Sequence, residues 1–225
     1  MSYQKTKVDD SLGFEIEQHL RELGVNTPTI PTDTTRQQKI DIIEDHVRGI
    51  LETIGLDLTD DSLMDTPKRV AKMYVNEIFW GLDSRAFPKC TAVENKMGYN
   101  SMVLERGITV SSFCEHHFQP IWGKATVAYI PDKRVLGLSK MNRIVEYFSR
   151  RPQVQERLTE QIAAALKHVL KTQDVGVVID AEHFCVKCRG VEDTGSSTVT
   201  SRISGDFMDD PQVRMEFLSL ANHKH

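Results

Sequence analysis

Residues 113–120, FCEHHFQP, set a thiol, a carboxylate and two imidazoles side by side: Cys114, Glu115, His116 and His117. Cys114 and His117 stand at Cys-x-x-His spacing, which lets two side chains of one tight turn meet a single cation at roughly 2.0–2.3 Å. A second cluster, EHFCVKCRG at 182–190, adds Cys185 and Cys188. Thiolates combined with imidazole favour zinc. Two chemistries then compete. A closed set of Cys114, His117, Cys185 and Cys188 would be a structural staple, holding an interaction module with no reaction of its own. Read as a strand, however, the second cluster alternates its side chains, so His183, Cys185, Lys187 and Arg189 share one face and Cys188 points away. The ligands are then Cys114, His117 and Cys185, and the fourth position is left for a water whose pKa a metal lowers to about 7. His183, on the same face, and His116, beside a ligand, are suited to pass protons near neutral pH. Taken singly, each would be a supporting or surface histidine. Lys187 and Arg189 add positive charge beside the site, although such a pair usually belongs to a solvated strand edge.

The flanking sequence must position these groups. SMVLERGITVSS (101–112) and GKATVAYIP (123–131) read as paired strands, with the first cluster in the loop between them. A helical region from about 140 to 171 follows, broken at SRRPQ, its second half carrying Val154, Leu158, Ile162, Ala165 and Val169 on one stripe. VGVVIDAEHFCVKC (175–188) and SSTVTSRISGDF (196–207) read as two more strands, and 210–223 as a short terminal helix. Strand, strand, helix, helix, strand, strand predicts an α+β layer with helices on one sheet face. Before residue 88 the period is helical, through Ile40, Ile43, Val47, Ile50, Leu51 and Ile54, then Val70, Met73, Tyr74, Ile78 and Phe79. Thr66 and Pro67 read as the cap and first position of that second helix. The Thr- and Pro-rich stretch 24–35 reads as a linker from a mobile amino-terminal helix.

Composition sets the outer limits. A chain of 225 residues, 40% apolar and 27% charged, has ordinary globular character. A formal charge of −4 excludes a surface that grips nucleic acid broadly, so any polyanion must meet a local basic pocket. The amino terminus lacks the apolar run of a signal peptide, and no stretch approaches the roughly 20 apolar residues that span a bilayer. The expected address is cytoplasmic, with no membrane partner. Four cysteines are too few for a disulfide scaffold and stand as thiols. No Gly-x-x-x-x-Gly-Lys-Ser/Thr loop is present, which excludes phosphates cradled as in an NTPase. The His-x-Glu and Pro-Cys-x-x-Cys signature of zinc deaminases is absent too.

DDSLMDTPKRVAKMYVNEIF, CEHH at 114–117, ATVAYIP, GLSKMNRIVEYFSRRPQVQERLT, HFCVKCRG and MEFL occur in this order over about residues 36–225. Together they resemble GTP cyclohydrolase I of the zinc-dependent type. That resemblance implies one Zn2+ on Cys114, His117 and Cys185, and conversion of GTP to 7,8-dihydroneopterin triphosphate and formate. It implies that His183 and His116 handle protons and that Ser139, otherwise a helix cap, meets the ribose. Glu156, with Gln155 beside it, would recognise guanine; by spacing alone Glu156 is a solvated helix residue. Lys140, Arg143 and Arg189 would hold the triphosphate, with Arg69 reaching in from a neighbouring subunit. The implied architecture is the tunnelling fold: an antiparallel four-stranded sheet with two helices on one face, sheets joining between subunits into a barrel. A helical region (1–88) would precede this catalytic domain (89–225). The implied assembly is a homodecamer of two pentamers with interfacial sites. Cys188 departs from the family pattern, where a small or apolar residue is usual.

Overall fold

The computed structural model describes residues 7–222. Residues 1–6, part of the stretch read for a leader, and His223, the last residue of the expected terminal helix, lie outside the described residues.

Four long antiparallel strands carry the fold: β2 (Val103–Cys114), β3 (Pro120–Tyr129), β6 (Val175–His183) and β7 (Thr198–Ser204), adjacent in that order. Between β3 and β6 run α4 (Leu138–Ser149) and α5 (Gln155–Leu170), which cover one sheet face. Ile121, Ala125, Val127 and Tyr129 of β3 and Val175, Val177, Ile179 and Ala181 of β6 are buried against Ile144, Phe148, Leu158 and Ile162 of these helices. This period-two burial is the pleat expressed in the sequence. The opposite face is covered at one end, where Ala128 packs with Phe207 and Phe217. Those phenylalanines belong to α7 (Asp206–Asp209) and α8 (Pro211–Asn222).

Three short strands exceed the expectation of a four-stranded sheet. The break at SRRPQ is β5 (Pro152–Gln153), which pairs in parallel with the end of β2, Phe113 to Pro152 and Cys114 to Gln153. Pro152 cannot continue a helix, and the interruption ties the chain to the strand that ends in Cys114. A separate ribbon joins β1 (Ala92–Glu94) to β4 (Arg134–Leu136).

The amino-terminal region differs from its expected form. Far from being a mobile appendage, α1 (Asp10–Glu22) buries Ile16 and Leu20 in the same core as the sheet. Gly13 makes that approach possible, since a Cβ there would lie 2.0 Å from the Ser84 carbonyl oxygen. α2 (Arg36–Thr53) starts at a capping box of Thr35 and Gln38. It buries Ile40 and Val47, while Ile50 and Ile54 remain exposed. α3 (Thr66–Met73) is preceded by Asp65 at the cap position, one residue before the predicted Thr66. It continues into a π-helical turn, Tyr74–Ile78, closed by Phe79 N–H donating to the Tyr74 carbonyl at 2.9 Å. Among the described residues no helix is long and apolar enough to cross a membrane.

Candidate metal centre and active site

Cys114 is the final residue of β2, and the turn that follows is drawn tight. Its N–H donates to the Gln119 carbonyl at 2.8 Å, and Phe118 N–H donates to the Cys114 carbonyl at 2.9 Å. Phe118 adopts φ 51°, a left-handed conformation that costs roughly 1–2 kcal/mol for an L-residue. Aromatic packing offsets that strain: the Phe118 ring lies 5.3 Å from Phe79 and 6.0 Å from Tyr74, and Phe79 is 6.0 Å from Phe113. The π-turn and the residue after it thus brace the ligand-bearing loop.

The second cluster is not a strand throughout. β6 ends at His183, and Phe184–Lys187 form a single helical turn, α6. The alternation used to separate Cys185 from Cys188 therefore does not apply. The separation itself stands on other contacts: the Cys188 thiol donates to the Phe184 carbonyl at 2.7 Å, as a helix-terminal side chain bonding back into its turn. Cys114, His117 and Cys185 bring their ligand atoms within 4.8 Å of one another, and Cys188 is not part of that group. Lys187 also leaves the site, pairing with Glu182 at 3.2 Å and donating to the Thr194 carbonyl. Arg189 stays, with Nη1 3.2 Å from His117 Nε2 and 3.5 Å from the Cys185 carbonyl.

Two thiols and an imidazole, one thiol buried and the imidazole exposed, form a donor set that fits a borderline-soft divalent cation. Burial, then the adjacent Cys114 thiol, push the Cys185 thiol up. A cation would reverse that preference, because coordination requires thiolate.

The first turn of α5 organises the rest. Gln155 is buried: Nε2 donates to the Ile179 carbonyl at 3.1 Å, the Thr198 carbonyl at 2.8 Å and Thr200 Oγ1 at 3.1 Å, while Oε1 lies 2.7 Å from His183 Nε2. Glu156, one residue on, is exposed. Arg157 reaches back to the ligand loop and holds Glu115 through Nη1 to Oε2 at 2.5 Å. His183 continues the inward face of β6 and sits opposite Ile121. Burial lowers its pKa, and the Glu156 carboxylate opposes that shift. His116 is exposed, with Nδ1 3.7 Å from Cys114 Sγ and Nε2 3.9 Å from Glu115 Oε1.

Not every expected residue belongs to the three-donor group or its immediate neighbours. Ser139 is the second residue of α4, whose cap position is Gly137, so it is no helix cap. α4 begins beside the far end of β3, where Leu136 N–H donates to Tyr129 Oη at 2.9 Å. Ile121 and Tyr129 are eight residues apart, about 26 Å at about 3.3 Å per residue. Lys140 and Arg143 lie near Cys90, whose thiol burial pushes up to about 12 against the pull of both cations. Arg69 is exposed on α3 and pairs with Asp65 at 3.4 Å.

The sequence reading missed the roles of Arg157, Phe79 and Tyr74. Glu115, between the two ligands, and Arg157, in QVQER, were the available signal: opposite charges each adjacent to a residue already singled out.

A three-donor sulfur and nitrogen group flanked by imidazole, on an α+β frame, is the constellation of a metal-dependent hydrolytic enzyme. Residues 43–222 match the family model of GTP cyclohydrolase I. The chain is 54% identical over 204 residues to GTP cyclohydrolase 1 of Shewanella amazonensis, covering 91% of this chain and 94% of that one. It is 53% identical over 206 residues to the Haemophilus ducreyi protein of that name, covering 92% and 94%. With the Actinobacillus pleuropneumoniae protein of the same name it shares 55% over 199 residues, covering 88% and 91%. The chain belongs to the GTP cyclohydrolase I family and is an enzyme of that family.

Proposed function

We propose that the protein is a zinc-dependent GTP cyclohydrolase that opens the guanine imidazole ring of GTP, releases formate and forms 7,8-dihydroneopterin triphosphate. The observation that carries this reading is the convergence of Cys114, His117 and Cys185 beside His183 in a chain of that family. Zinc would be held by those three residues and, when bound, supplies Lewis acidity that activates water near neutral pH. The competing staple needs four protein ligands, and the inward bond of the Cys188 thiol to the Phe184 carbonyl disfavours it.

The chain's own residues then divide the work. Glu156, exposed at the first turn of α5, accepts the N–H donors of the guanine edge. His183 and His116 move protons during ring opening and formate departure. Arg189, beside His117, meets the triphosphate; guanidinium suits that role because its planar fork grips phosphate oxygens in pairs. Ser139 meets the ribose, and Lys140, Arg143 and Arg69 complete the anion pocket. The length of β3 separates Ser139 and Lys140 from the metal ligands of their own chain, more than one nucleotide bridges. Those residues therefore enter from neighbouring subunits.

That requirement fits an assembly. β7 is bonded on one side only, and β2 gains its short β5 partner only at its end, so the described residues leave two open sheet edges. Exposed edges favour pairing with another chain. The reading accordingly includes the tunnelling-fold barrel, a homodecamer of two pentamers, and a catalytic domain of 89–225 preceded by the helical region 1–88. It also includes a cytoplasmic location, supported by thiol ligands that a reducing compartment protects from oxidation. Incubating zinc-loaded protein with GTP tests the whole reading. Formate and a fluorescent oxidised pterin are expected in equal amounts; intact GTP after incubation would refute it.

A further inference from the structure

Gln155 is not built like a substrate contact. Its side chain is 1% exposed, and both ends of its amide are already engaged. The orientation of that amide follows from its neighbours. Ile179 and Thr198 offer carbonyl oxygens, which can only accept, so the NH2 end must face them. Thr200 agrees. Thr159 Oγ1 donates to the Gln155 carbonyl at 2.8 Å, so in its 2.7 Å contact with Thr200 it accepts. Thr200 therefore spends its proton on Thr159 and receives from Gln155 Nε2 at 3.1 Å. The amide cannot flip without opposing oxygen to oxygen at the Ile179 and Thr198 carbonyls.

Gln155 Oε1 is then the acceptor that faces His183 Nε2 at 2.7 Å. An acceptor on that side requires a proton on Nε2. We infer that Gln155 is a positioning residue that fixes His183 as the Nε2–H tautomer, leaving Nδ1 as the nitrogen with a free lone pair. Choosing the tautomer of a proton-carrying imidazole through the partner of its other nitrogen is a general device. Here the device spans three elements: α5 supplies the amide, β6 the histidine and one carbonyl, and β7 the other carbonyl and the hydroxyl. The inference rests on the cyclohydrolase reading insofar as His183 moves protons in turnover. It assigns Gln155 to the histidine and leaves base recognition to Glu156.

Two measurements test it separately. Neutron diffraction from zinc-loaded crystals, at a pD about two units above the ordinary imidazole pKa, shows which nitrogen carries deuterium. Deuterium on Nε2 with Nδ1 bare, and ND2 of Gln155 toward Ile179 and Thr198, is the expected result; a bare Nε2 or a reversed amide overturns the inference even if GTP turnover is normal. In steady-state kinetics, Gln155→Met keeps length and apolar volume but removes the acceptor. Its kcat should fall about 10- to 100-fold, less than the roughly 10²–10⁴-fold that the proton-carrying group itself contributes, with KM for GTP and zinc content close to wild type. A raised KM with kcat intact would instead make Gln155 a base contact. Should Gln155→Met lose zinc or fail to fold, Thr200→Val removes one anchor of the amide without touching His183. Its smaller fall in kcat at constant KM supports the inference, and unchanged kcat contradicts it. Absence of product from the wild-type enzyme would overturn the cyclohydrolase reading while leaving the diffraction result to decide the tautomer.

Discussion

Cys188 and Glu156 are the two side chains on which the division between metal and substrate residues turns. The Cys188 thiol bonds to the Phe184 carbonyl at 2.7 Å and stands apart from the three-donor group. Cys188→Ser should therefore retain one zinc per chain and most of the activity, measured by metal analysis beside turnover. Loss of metal in that variant would restore the closed site. Glu156 is exposed and touches none of the ligands, so Glu156→Ala should abolish GTP turnover at unchanged zinc content. A drop in both would show that the turn opening α5 holds the metal loop through this carboxylate as well as through Arg157. Much of this site was legible in the sequence, because Cys-x-x-His spacing and a later Cys carry their geometry with them. The exclusion of Cys188 was reached through a pleat that is absent: HFCVKC alternates like a strand, but the chain leaves the sheet after His183 and coils into one turn. Gln155 illustrates what spacing cannot carry. Its partners Ile179, Thr198 and Thr200 lie 24 to 45 residues away and meet it only once β6 and β7 are paired.

Among the elements, the π-turn and the aromatic residues that follow it secure the metal loop. Phe79 is half-buried between Tyr74, Phe113 and Phe118. Replacing it with Ala should cost about 1–3 kcal/mol, less than the roughly 3–5 kcal/mol of a fully buried Phe. Released from its brace, the strained Phe118 turn should also hold metal less tightly, which competition with a chelator measures. The junction of α1 with α5 carries a pH dependence of its own. His168 faces Glu15 at 3.6 Å and His19 with ring centroids 5.2 Å apart, with Lys171 adding positive charge. Burial first, then Lys171, lower its pKa from the ordinary 6.5, while Glu15 works against them. The unfolded chain thus binds this proton at a higher pH than the folded one. Stability is full above about pH 6.5 and falls as the pH drops through the lowered folded-state value. Thermal melts should show a shallower acid slope for His168→Gln than for wild type. Periodicity revealed α5 but not what docks on it: α1 was expected only as a mobile helix, and even a clear helix stripe records that a face is buried and not against what.

At the scale of the molecule, the proposed reading needs more than one chain. Ile50, Ile54 and Met64 stay exposed along the helical region, two sheet edges are open, and the metal ligands lie at the opposite end of β3 from Ser139 and Lys140. If sites are shared, two inactive variants should complement. Glu156→Ala and the Lys140→Ala/Arg143→Ala double variant, each silent alone, should regain roughly a quarter of wild-type activity when dissociated and reassembled in equal amounts, as random pairing of two faces gives. No recovery in mixed oligomers would place every contact within one chain. Any assembly is the least legible level in a sequence, since exposed isoleucines and unpaired edges are apparent only after the chain's own packing is known. The central claim concerns what the molecule does to GTP. Zinc-loaded protein incubated with GTP labelled at carbon 8 should release that label as formate, in step with pterin fluorescence and abolished by chelation. Label retained in a purine, with metal bound and the chain folded, would contradict the account.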